Sequence, residues 1–112
     1  MDTFYDVQGL TLEQSEALIW KARGVCERWW VDKLDCRESF CRQSIDMSFE
    51  EVMSRFGEKS HFVVIHRRPP IGFPDEYLEV GFRTMESPVD YFLWIVVPLE
   101  RKDEVVGGLK ER

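Results

Sequence analysis

The chain has 112 residues, near the commonest domain size, and its 44% hydrophobic and 13% aromatic content supplies one core and excludes overall disorder. Its 21 acidic and 15 basic residues leave a net charge of −6 at pH 7, which opposes a phosphate backbone, so a nucleic-acid partner is disfavoured. No apolar run reaches the roughly 20 residues of a bilayer helix, because the stretch from Val89 to Leu99 contains Asp90 and Pro98, so a membrane partner is not expected.

Residues 3–8 carry a faint strand pattern. The first clear signal is Thr11-Leu12-Glu13-Gln14, a capping box in which a hydroxyl and an amide satisfy the first free backbone donors of a helix. Leu12, Leu18, Ile19, Ala22, Val25, Cys26, Trp29 and Trp30 then share one arc of about 140°, which predicts an amphipathic helix over about residues 12–31. A short second helix is expected over 36–43, capped by Asp35. Ser48-Phe49-Glu50-Glu51 is another capping box, and Phe49, Val52, Met53 and Phe56 repeat at i, i+3, i+4 and i+7, so a third helix is expected over 49–56 with Gly57 as its stop.

After Gly57 the period changes to two. Strands are predicted over about 61–68, 76–84 and 89–97, joined by a proline-rich loop at 69–75 and a turn at 85–88. A short helix is expected in the tail from Leu99, against the two glycines Gly107 and Gly108. The expected fold is therefore a single α+β domain over 1–112, with N-terminal helices packed on a three-stranded antiparallel meander.

Parity sorts these strands into two faces. A tight turn at 85–88 sets Arg83 opposite Asp90, Gly81 opposite Phe92 and Glu79 opposite Trp94, while Phe82, Val80 and Leu78 meet Tyr91, Leu93 and Ile95 on the other side. Phe62, Val64 and His66 join the apolar face, which the helices are expected to cover. The remaining face carries His61, Arg67, Tyr77, Glu79, Arg83, Asp90, Phe92 and Trp94, with a gap at Gly81. Such a mixture of rings and polar groups suits a contact surface, and equally a half-solvated sheet or one crossed by the C-terminal tail.

Two further features stand beside this face. Trp20 falls on the polar side of the first helix, where it is either a docking knob or a ring buried by Phe4, Tyr5 and Val7. Arg67-Arg68 borders the loop holding Phe73, where it either captures an anion or pairs with Asp75 or Glu76.

Cys26, Cys36, Cys41, His61 and His66 lack the close spacing of a zinc set, and neither a metal nor another cofactor is expected. An odd number of cysteines and an acidic start, Met1-Asp2-Thr3-Phe4-Tyr5-Asp6, point to reduced thiols and a cytoplasmic location.

The leading functional reading is a non-enzymatic protein-binding or regulatory domain that acts through the mixed face, helped by Trp20 and Phe73. Its motive is an apolar third strand at the edge of the meander, which needs a cover such as another protein or a second copy of the chain. The second reading is a small hydrolase or nuclease-like enzyme with His61, Glu79 and Arg83 at its centre, although the sequence holds no nucleophile elbow and no phosphate-cradling loop. The third is an acidic inhibitor of a basic partner protein.

Overall fold

The computed structural model describes residues 2–25, 28–35, 37, 41–56, 61–68, 75–84 and 89–112. Its elements are β1 (Thr3–Phe4), α1 (Leu12–Val25), β2 (Trp29–Asp35), β3 (Cys41–Ile45), α2 (Phe49–Ser54), β4 (His61–Arg67), β5 (Tyr77–Arg83), β6 (Val89–Pro98), a 3₁₀ turn (Leu99–Arg101) and α3 (Asp103–Val106). The strands form one antiparallel sheet in the order β1-β4-β5-β6-β2-β3.

Helix α1 begins where the capping box places it. The Thr11 amide donates to Gln14 Oε1 at 2.8 Å and the Gln14 amide donates to Thr11 Oγ1 at 3.1 Å. Ser48 caps α2 with its hydroxyl, which accepts from the Glu51 amide at 3.2 Å. The buried face of α1, with Leu18, Ile19 and Ala22, joins Phe49 and Val52 of α2 and Val105 and Val106 of α3 in one core with Val64, Leu78, Val80, Phe82, Leu93, Ile95 and Val97 of the sheet. Burial of each large apolar side chain contributes roughly 1.5–3 kcal/mol. Phe56 packs edge-on against Phe82, with centroids 4.6 Å apart, and closes the core at the C-terminal end of α2.

The expected helix over 12–31 is shorter than its periodicity suggested, because Trp29 to Asp35 is a strand. Adjacent β-branched and aromatic residues favour extended backbone, and Trp29 and Trp30 fall within the helical arc as well, so the arc alone does not separate the two. In the strand they part company: Trp29 turns towards the helices and packs edge-on against Phe49 at 5.4 Å, while Trp30 lies on the opposite face and is 36% exposed. The expected helix over 36–43 is also corrected, since Cys41–Ile45 is a strand paired antiparallel with β2. Its earlier part, residues 36 and 38–40, lies outside the described residues, as do Cys26, Gly57, the loop 69–74 with Phe73, and the turn 85–88.

Strand β6 is not an edge. It lies between β5 and β2, so its apolar character is explained by burial inside the sheet, and the expected need for an external cover disappears. The edges are β1 and β3. The C-terminal tail closes β1, where the Asp6 amide donates to the Lys110 carbonyl at 2.8 Å and the Arg112 amide donates to the Phe4 carbonyl at 2.7 Å. The tail therefore runs along a sheet edge rather than across the mixed face.

Candidate functional site

All three helices contribute to the core on one face of the sheet, and among the described residues no helix covers the other. The helix-free face is ordered in transverse rows, because strands in register place every second residue on the same side. One row is Val63, Gly81, Trp94 and Trp30, running from β4 through β5 and β6 to β2. The next is His61, Arg83, Phe92 and Asp32, and on the other side lies Ile65, Glu79 and Val96.

The observed β5–β6 register differs by two residues from the expected one. Arg83 stands opposite Phe92, Gly81 opposite Trp94 and Glu79 opposite Val96. An even shift leaves every side chain on its face, so Leu78, Val80 and Leu93 are buried and His61, Arg67, Tyr77, Glu79, Arg83 and Trp94 share the helix-free side. Arg83 and Asp90 still meet, now diagonally, with Arg83 Nε donating to Asp90 Oδ2 at 3.1 Å.

These six residues fall into two groups. At one end His61, Arg83 and Trp94 surround a pocket of about 220 Å³ at Gly81, together with Val63 and Phe92. The Phe92 and Trp94 rings lie nearly parallel, 7° apart with centroids 6.3 Å from each other, and the Arg83 guanidinium stands 5.1 Å from the Phe92 centroid. Asp32 fixes the Trp94 indole, accepting from its Nε1 at 3.1 Å and from the Ser44 hydroxyl at 3.1 Å.

At the other end Arg67 Nε donates to Glu79 Oε2 at 2.7 Å and Arg67 Nη1 donates to Asp2 Oδ2 at 2.8 Å. Glu79, expected to be wet, is only 4% exposed. Burial pushes the Tyr77 hydroxyl above its ordinary range, and the Glu79 charge adds to this. Arg68 pairs with Glu76 at 2.6 Å, and the His66 ring lies 2.7 Å from the same carboxylate on the helix-covered side.

The Arg68 guanidinium, and after it His66, hold the Glu76 carboxyl below the usual range. The Arg68 backbone amide, and after it the Arg67 side chain, do the same for Asp2. A carboxyl with a depressed folded pKa contributes stability above its unfolded value of about 4, and that contribution fades as pH falls through the folded value. Urea midpoints are therefore expected to fall below about pH 4, with a smaller acid loss in Glu76→Gln. An identical acid limb in that variant would show that the Glu76 pairs contribute nothing.

Trp20 is on the helix side, away from the pocket. It packs edge-on against Phe49 of α2 at 4.7 Å and remains 43% exposed. His61 and His66 lie on opposite faces, and among the described residues no group of three His, Cys, Asp or Glu could hold a metal. No helix of the described chain is long and apolar enough to cross a membrane.

Trp30, Asp32 and Ser44 were missed by sequence reasoning, because the strands that carry them read as helix or were not expected. Their signal is the run of adjacent aromatic and β-branched residues Trp29-Trp30-Val31, since Trp29 to Asp35 shows no alternation of polar and apolar side chains.

The geometry keeps His61 and Glu79 apart. His61 pairs with Arg83 and Glu79 with Ile65, four residues apart along β4, which separates the two groups by about 13 Å. A general acid and base must both reach one reacting bond, and the Glu79 carboxylate is occupied by Arg67. No protein family, curated protein or solved structure matches the chain.

Proposed function

We propose that the chain is a non-enzymatic protein-binding or regulatory domain that works through the helix-free face of its sheet. The observation that carries the proposal is the row of Trp94 and Trp30 beside the Gly81 pocket, on a face that no helix covers among the described residues. Large rings supply contact area at low entropic cost, and Trp94 is already held in place by Asp32. Beside them Arg83 is held by Asp90, whose Oδ2 accepts from Arg83 Nε at 3.1 Å.

The test is a differential capture from an extract of the source cell, using the intact chain, Trp30→Ser, Val63→Glu and the helix-side control Trp20→Ser, each checked for an unchanged unfolding midpoint. A protein retained by the wild type and by Trp20→Ser, but lost with both face variants, is the expected result. Retention unaffected by the face variants, or no retention by the wild type, overturns the proposal.

A further inference from the structure

The Gly81 pocket has an apolar part and a cationic edge. From that division we infer that it binds a small planar aromatic acid, its ring against Trp94 and its carboxylate at Arg83 and His61. The inference rests on the helix-free face being the working surface.

The ring end is prepared. Val63 and Gly81 leave the pocket open next to two nearly parallel rings, an arrangement that accepts a third ring by stacking. Trp94 does not have to be ordered by the ligand, since Asp32 already holds its indole.

The anion end is also prepared. Arg83 uses Nε and Nη2 for Asp90 Oδ2, so among the described residues its Nη1 group has no partner. His61 stands directly across the β4–β5 ladder, exposed, with no described residue bonded to its ring. Opposed residues in a ladder have Cβ atoms about 5 Å apart, so one carboxylate can take hydrogen bonds from both, strengthened by the guanidinium charge.

An ammonium ligand would meet Arg83 at the same place, and a neutral ring would leave those donors unused. The net charge of −6 and the neighbouring Asp90 weaken long-range attraction, but beyond about 8 Å such effects are screened at physiological salt, and contact geometry decides. A dissociation constant on the order of 100 μM follows for a ligand of about a dozen heavy atoms.

The experiment titrates 2-naphthoate, 2-naphthamide and 2-naphthylmethylammonium into the ¹⁵N-labelled full chain and follows amide and indole resonances. Naphthoate is expected to move the Trp94 indole N–H and the amides of Val63, Gly81 and Phe92, and to bind about tenfold tighter than the amide. Arg83→Gln should bring the two ligands level. His61→Ala, at an exposed position that leaves the fold intact, should weaken naphthoate severalfold.

Equal binding of all three ligands, tightest binding of the ammonium, shifts confined to the Trp20 side, or no binding at all would each overturn the inference. If naphthoate fails while the face variants still lose their captured protein, the ligand inference falls and the binding face stands; if both fail, both fall.

Discussion

A Gly81→Ala chain is expected to lose about 3 kcal/mol of stability, read as a fall of about 12 °C in Tm for a domain of this size. Gly81 sits in the central strand β5, between Val63 of β4 and Trp94 of β6. A Cβ there would collide with the carbonyl oxygen of Leu93. That neighbour is backbone inside a ladder, not the free end of a side chain, so the only relief is to part β5 from β6.

The same parting would deform the pocket, because Leu93 and Trp94 form its β6 side. Gly24, in the last turn of α1, is the control: a Cβ there enters open space, and Gly24→Ala should be neutral or stabilising by about 0.5–1 kcal/mol. A Gly81→Ala chain as stable as the wild type would show that β5 and β6 do not approach so closely.

The fate of the mixed face shows which sequence signals carry far. Parity along β4, β5 and β6 survived a two-residue error in register, because only an odd slip exchanges faces. The apolar set Leu78, Val80 and Leu93 could therefore be placed without knowing the conformation of the 85–88 turn. Capping boxes were equally durable, since Thr11 and Ser48 act within three residues of themselves.

Strand β2 was lost for the opposite reason. Trp29 and Trp30 extend a real helical stripe from Leu18, Ile19 and Ala22, and no alternation marks where the period changes. That one error propagated. Without β2, β6 became an edge and seemed to need a partner, and Trp30, Asp32 and the anchoring of Trp94 were invisible.

The burial of Glu79 was unreadable for a further reason. It depends on Arg67, twelve residues away, and through it on Asp2 at the far end of the chain.

That buried pair carries the second large effect. Arg67→Met is expected to cost about 2–3 kcal/mol, somewhat less than the loss of a fully buried partner because the Arg67 side chain is 32% exposed. The cost comes from removing the Arg67 guanidinium from the Glu79 carboxylate, whose side chain is 6% exposed. An apolar replacement of both ends removes that charge, so Arg67→Met with Glu79→Met should recover to within about 1 kcal/mol of the wild type in urea unfolding. Asp2→Asn alone should cost less than Arg67→Met, since its bond lies nearer the surface.

The pH dependence separates this account from simple loss of packing. In the single variant the buried carboxylate of Glu79 has lost the Arg67 charge, which penalises its ionised form against its neutral one, so the penalty is smallest below about pH 4 and grows as pH rises. This slope opposes the acid loss expected from Asp2 and Glu76, whose folded values are depressed. A deficit in Arg67→Met that is constant between pH 4 and 7, or one undiminished in the double variant, would mean that Arg67 acts through its aliphatic stem and not through the charge of Glu79.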